Sequence, residues 1–110
     1  WSRDRRGGRL PLPLAIKSLA HDPAAAVGLY DRGAIARGLK ADLNVIDFDA
    51  LRLPAPVVVN DLPAGGRRLM QDAHGYVATI VSGEIIRRNG AATGKLPGRL
   101  VRGAQKAPGR

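Results

Sequence analysis

The chain has 110 residues, a length that fits one small domain. Eighteen Lys and Arg against nine Asp and Glu give a formal net charge of +9, which is typical of proteins with an anionic partner. The sequence contains no cysteine and no apolar run long enough for a membrane helix, which excludes disulfides and thiolate sites, and we expect a soluble, cytoplasmic protein.

The first thirty residues predict a loop followed by two short helices. Residues 1–9 include a Gly-Gly pair and show no apolar period, as is typical of loops. Apolar residues within 14–19 have helical spacing. A second helix is predicted to begin with Asp22 as N-cap and Pro23 at its first position, and to end at Gly28.

Strand signals begin after residue 31. Gly33 and Gly38 predict a turn on each side of a short extended piece around Ile35. Residues 42–47 alternate in the manner of a strand. Residues 57–60 predict a short edge strand, because the preceding proline is tolerated only at a sheet edge.

The clearest strand pattern is YVATIVSGEIIRR, residues 76–88. Ser82 and Gly83 in its middle predict the tight turn of a hairpin, and the Asn-Gly pair that follows the run at 89–90 predicts a second turn. Residues 77–81 are apolar on both faces of the predicted strand. We therefore expect this strand to be covered on both sides, and the isolated chain to be marginally stable or prone to aggregate.

The C-terminal segment and the charge distribution point to solvated ends. Residues 95–110 are rich in Gly, Pro and basic side chains and predict a tail, which we expect Leu96, Leu100 and Val101 to hold down. Basic residues crowd both ends of the chain and leave a nearly neutral middle. This distribution favours solvated loops over a phosphate-binding surface.

The polar residues offer no complete catalytic or metal-binding set. His21 and His74 are far apart in sequence, and neither belongs to a local ligand motif, so each is interpreted as a surface or helix-end histidine. Asp42 and Asp47 would point to opposite faces of a strand, and Asp49 lies just past its end. This spacing favours strand-end and turn capping over an acid–base pair, so we predict no catalytic residue and no metal ligand.

One local anion site is suggested by the stretch PAGGRR, residues 63–68. Two glycines before Arg67 and Arg68 would let exposed amides and a guanidinium hold an anion. The stretch matches no complete nucleotide-binding fingerprint, and a turn with two solvated arginines is the simpler interpretation. Arg67 and Arg68 are the candidate anion-binding residues.

Several of these motifs resemble the C-terminal end of the amidohydrolase superfamily. The run DRGAIARGLKADLNVID is similar to its glycine-turn-glycine unit and following strand, and VATIVSGEIIRRNG to its last hairpin. Five stretches in order are similar to the N-acyl-D-amino-acid deacylases, the D-aminoacylase group: WSRDRRGGRLPL, NVIDFDALRL, DLPAGGRRL, GYVATIVSGE and GRLVRG. The likeness spans nearly the whole chain. Arg37 departs from the family, which usually has proline there.

The resemblance implies an α+β segment of a larger enzyme. Residues 1–30 would be the exit loop and final helices of a (β/α)8 barrel, 31–94 the C-terminal portion of a small β-sandwich, and 95–110 a basic tail. The absent barrel and the N-terminal sandwich strands would be its partners. The family's His-x-His pair and catalytic aspartate have no counterpart here, so zinc is expected in the intact enzyme and no cofactor in this chain.

The function implied is that of a structural segment, inactive alone, in a metal-dependent hydrolase acting on linear amide C–N bonds of N-acyl-D-amino acids. The alternatives are a small basic nucleic-acid-binding module and an interaction domain that pairs an exposed sheet edge with a partner. The scarcity of aromatic residues disfavours nucleic acid, because base stacking uses them. We expect no membrane partner.

Overall fold

The structure is a computed structural model that describes residues 6–109, so residues 1–5 of the predicted N-terminal loop lie outside the described residues. The described residues are α+β, as predicted. Their elements are α1 (Leu12–Leu19), α2 (His21–Ala26), β1 (Leu43–Ile46), β2 (Val57–Val59), a 3-10 turn (Pro63–Gly65), β3 (Arg68–Met70), β4 (Tyr76–Val81), β5 (Glu84–Arg88) and β6 (Ala91–Ala92). Neither helix is long and apolar enough to cross a membrane.

The chain divides into two compact units. Of the described residues, the helical unit comprises 6–42 together with 99–109. The sheet unit is Leu43–Gly98 and contains every named strand.

The start of α2 corrects one prediction. The helix begins at His21, with Ala20 as N-cap, so Asp22 lies inside the first turn. The Asp22 carboxylate does not cap a backbone amide, because it accepts hydrogen bonds from Lys17 Nζ at 2.5 Å and pairs with His21 Nδ1 at 3.1 Å. A negative charge in the first turn still interacts favourably with the helix dipole.

The end of α2 confirms the prediction at Gly28. Gly28 has φ +74°, and its amide donates to the Ala25 carbonyl at 3.0 Å. The Leu29 amide donates to the Ala24 carbonyl at 2.8 Å, which completes the paired bonds of a Schellman motif. Only glycine adopts this left-handed backbone without strain, so the helix ends here.

The C-terminal segment is held by backbone hydrogen bonds, and the holding role predicted for Leu96 and Leu100 is wrong, whereas Val101, at 39% exposure, is partly covered. Leu96 and Leu100 are 94% and 77% exposed. The Gln105 amide instead donates to the Gly28 carbonyl at 2.9 Å, and the Tyr30 amide donates to the Gln105 carbonyl at 3.0 Å. The backbone groups of the residues that follow the Schellman turn need hydrogen-bond partners, and the C-terminal segment provides them.

The loop between α2 and β1 turns at the two predicted glycines. Gly33 has φ +89° and Gly38 has φ +87°. Between them Ile35 belongs to no strand and is 89% exposed. The predicted turns are confirmed, and the extended piece forms no sheet hydrogen bonds in the described residues.

Four antiparallel strands form the main sheet of the sheet unit, in the order β1-β4-β5-β6. Both predicted hairpin turns are confirmed. Ser82 and Gly83 have φ +51° and +81°, and Asn89 and Gly90 have φ +48° and +82°. Two consecutive residues with positive φ characterise the type I′ turn, whose twist matches that of the flanking strands.

Cross-strand register gives this sheet one mainly aliphatic face and one mixed face. Strand alternation places two aligned rows on the first face, which we call the apolar sheet face: Leu43, Ile80 and Ile85, then Val45, Ala78 and Arg88. The opposite face carries the row Asn44, Thr79, Arg87 and Ala92. On that second face Val77 is 41% exposed and Val81 is half-buried, so the predicted cover of β4 on both sides is present only in part in the described residues.

The second sheet is the two-stranded antiparallel pair β2 and β3. It confirms the short strand predicted at residues 57–60. Within the described residues, the closest element pairs are neighbouring strands of these two sheets and the helix pair α1 and α2. Ala78, at 9% exposure, is the most buried side chain that residues 6–109 contain.

Gly75 joins the 47–51 turn to the start of β4. Its carbonyl accepts a hydrogen bond from the Asp47 amide at 2.8 Å, and its φ is +90°. A Cβ atom at this position would lie 2.7 Å from Leu51 Cα and 2.9 Å from the Asp47 carbonyl oxygen. These neighbours are backbone atoms, so a side chain here forces the turn to move.

We therefore expect Gly75→Ala to destabilise the sheet unit by about 3 kcal/mol or more, the sum of left-handed backbone strain and the displaced turn. Gly83→Ala is the matched control, because Gly83 has a similar φ but open space around it. It should lose only about 1–2 kcal/mol. Urea unfolding followed by circular dichroism measures both, and equal losses would refute the assigned contact.

Candidate functional site

The helical unit contains a compact network of charged side chains. Arg32 donates from Nε and Nη2 to both carboxylate oxygens of Asp31, at 2.8 and 2.9 Å. These two side chains are only 19% and 25% exposed. Asp42 Oδ2 lies 3.1 Å from Lys40 Nζ and 3.7 Å from Arg32 Nη1. The network neutralises its own charges and connects both ends of the loop between α2 and β1.

Ion pairing lowers the pKa of three aspartates. The Arg32 hydrogen bonds hold the pKa of Asp31 below its ordinary value, although desolvation opposes them. Lys17 lowers the pKa of Asp22 in the same way, and Arg68 lowers that of Asp61. These carboxyl groups therefore stay ionised at neutral pH. In that state they can act as ion-pair partners and have no proton to donate.

The two histidines lie where the sequence predicts, at a helix end and at the surface. His21 is the first residue of α2 and pairs with Asp22. His74 is exposed and exchanges two backbone hydrogen bonds with Arg52, at 3.0 and 3.4 Å. Across residues 6–109 no three His, Cys, Asp or Glu side chains are arranged to hold a metal ion. The described residues therefore do not fit zinc, and we derive no chemical step through it.

Asp47 and His74, distant in sequence, line one open depression of about 230 Å³ in the sheet unit. Tyr76 and Asn89 contribute to the same rim. Sequence reasoning missed this proximity because it depends on the bridge between residues 52 and 74. Asp47 Oδ1 accepts a hydrogen bond from the Ala50 amide at 3.2 Å, the turn-capping contact that its position predicts.

The two candidate anion-binding arginines have different environments. Arg68, on β3, donates from Nε and Nη2 to both oxygens of Asp61, at 2.7 and 2.5 Å. Arg67 is exposed and has no acidic partner among residues 6–109. A bidentate carboxylate already fills the donor positions of Arg68 that an anion would use. Anion binding by Arg67 and Arg68 stays a prediction.

Exposed apolar side chains on both sheets are the most extensive candidate surface. On the main sheet, Val45 of the apolar sheet face is 48% exposed. On the two-stranded sheet, Val57, Val58 and Leu69 are 57%, 58% and 68% exposed. Val58 and Leu69 are directly paired across β2 and β3 and form an exposed apolar patch, which is suited to a protein interface.

Comparison with known proteins places the chain in a family. The sequence model of the Amidohydrolase family matches residues 2–87, which is most of the chain. The chain belongs to the amidohydrolase family, and its relatives are hydrolases. No curated protein and no solved structure matches it. The superfamily resemblance in the sequence is thus confirmed, whereas assignment to the N-acyl-D-amino-acid deacylases stays a prediction.

The Asp31–Arg32 pair predicts a pH dependence of stability. The pKa of Asp31 is lower in the folded than in the unfolded state, so the pair stabilises the fold above the ordinary value of 3.8. That contribution is lost as pH falls through the lowered pKa. We expect Asp31→Asn to lower the urea midpoint at about pH 6, and the difference from wild type to shrink at about pH 2.5.

Asp49→Asn is the control for this measurement, because the structure shows no ion pair at Asp49 among the described residues. It should leave the midpoint nearly unchanged at both pH values. A difference between wild type and Asp31→Asn that stays constant with pH would contradict the assigned role of the pair.

Proposed function

We propose that the chain is a structural segment of a metal-dependent hydrolase of the N-acyl-D-amino-acid deacylase type, inactive alone. Such an enzyme would cleave a linear amide C–N bond. The observation that carries this proposal is the exposed apolar surface of both sheets in a chain that belongs to the amidohydrolase family. The rest of the enzyme would cover that surface.

A sheet becomes stable by burying at least one of its faces. On the apolar sheet face Leu43, Ile80 and Ile85 are half-buried and Val45 is 48% exposed, so this face is covered only in part within residues 6–109. Burying apolar area is worth about 25 cal/mol per Å², so covering half of a Val or Leu side chain contributes about 1 kcal/mol. We infer that barrel elements and further sandwich strands supply this cover, with the two sheets forming part of a β-sandwich.

The polar residues support a structural role for the segment. Asp31, Asp47 and Asp61 each accept hydrogen bonds that hold a loop, a turn and a hairpin, respectively. We assign none of them to catalysis. Under this proposal zinc and the reacting amide are held by residues other than 6–109.

The proposal predicts that the chain alone binds hydrophobic dyes and self-associates through its sheets. Val45→Asp and Leu69→Asp place a charge on each exposed sheet and should reduce both behaviours. Leu96→Asp is the matched control, since Leu96 is 94% exposed on the C-terminal segment and belongs to no sheet. Dye fluorescence and sedimentation velocity measure the effect.

A soluble wild-type monomer with no dye binding and one cooperative thermal transition would contradict the proposed interface. A separate activity assay does not depend on that outcome. The chain alone, with added zinc, should release no D-amino acid from N-acetyl-D-amino acids. Zinc-dependent release by the chain alone would show that a catalytic set exists within it.

A further inference from the structure

The helical unit carries positive charge that its own acids do not neutralise. Over residues 6–42 and 99–109 it has nine Lys or Arg and three Asp, a net charge of +6. The sheet unit, residues 43–98, has six basic and five acidic residues, a net charge of +1. The basic character of the chain is therefore concentrated in one unit.

All three of these acids already have basic partners. Asp22 pairs with Lys17, and Asp31 and Asp42 pair with Arg32 and Lys40. The remaining basic side chains are exposed and have no acidic partner within the described residues: Arg6, Arg9, Arg37, Arg99, Arg102 and Lys106.

Three of the remaining six lie within three residues of a contact between neighbouring segments. The Gln105 amide donates to the Gly28 carbonyl, which brings the segment containing Arg102 and Lys106 alongside the end of α2. A Cβ added at Gly38 would meet Pro108 at 3.2 Å, so the turn containing Arg37 also borders this segment. We call Arg37, Arg102 and Lys106 the cationic strip.

Aliphatic side chains flank the cationic strip and indicate the class of its partner. Ile35, two residues before Arg37, is 89% exposed, and Leu100, two residues before Arg102, is 77% exposed. Protein interfaces combine apolar side chains with arginine, whereas nucleic-acid interfaces are more polar and single strands stack on aromatic side chains. Tyr30 is the single aromatic residue within 6–42 and 99–109.

We propose that the cationic strip is a docking site for an acidic polypeptide surface. Lys and Arg would approach Asp or Glu carboxylates of the partner, with Ile35 and Leu100 contributing apolar contact. Complementary charge raises the association rate and makes binding sensitive to salt. The proposal stands on charge and placement and does not depend on the proposed hydrolase.

The test uses the full chain and a fluorescein-labelled glutamate-rich peptide, with affinity measured by fluorescence anisotropy. The triple variant Arg37→Gln, Arg102→Gln, Lys106→Gln should weaken binding by about tenfold. The matched control, Arg52→Gln, Arg88→Gln, Lys95→Gln, makes the same charge change in the sheet unit and should weaken it by no more than about twofold. Circular dichroism is the control that tests whether both variants fold as the wild type does.

Equal weakening by the two variants would overturn the proposal, because it would mean that net charge alone drives binding. Absence of wild-type binding to the peptide at low salt would also overturn it. Duplex DNA and phosphatidylserine vesicles are the comparison probes. If either binds more tightly than the peptide and loses affinity with the strip variant, the strip serves that partner and the acidic-polypeptide assignment is wrong.

Discussion

A thin hydrophobic core limits the stability of this fold, because most large aliphatic side chains of the described residues are exposed. Hydrophobic burial is the main favourable term in folding, yet Ala78 alone reaches 9% exposure in residues 6–109. An isolated two-stranded sheet such as β2–β3 is only marginally stable in water, so it gains stability from further packing. We propose that other parts of an amidohydrolase enzyme supply that packing.

Local hydrogen bonds define the fold where burial does not. The Schellman turn at Gly28 and the type I′ turns of the two hairpins depend only on residues that are close in sequence. The backbone pairing of Gln105 adds one contact between segments that are distant in sequence. The ion pairs of Asp31 and Asp61 add to this local framework. Such contacts determine direction and register, whereas the burial that stabilises a domain comes from packing between elements.

Features of the fold that depend on local contacts could be predicted from sequence, whereas features that depend on distant contacts could not. Gly28, the Ser-Gly and Asn-Gly turns and the short strand at 57–60 carry local signals, and all were confirmed. The N-cap of α2 was wrong because the Asp22 side chain bonds to Lys17 instead of the backbone. The role of Gln105 and the proximity of Asp47 and His74 depend on distant backbone pairing, which leaves no pattern in a single sequence.

We propose that this chain is the structural part of a metal-dependent hydrolase whose remaining residues cover its sheets. The most direct test is to determine the genomic sequence immediately upstream of the Trp1 codon. We expect a continuous reading frame that encodes a His-x-His pair and a further barrel aspartate. A stop codon, or a start codon with no such frame, directly before Trp1 would contradict it.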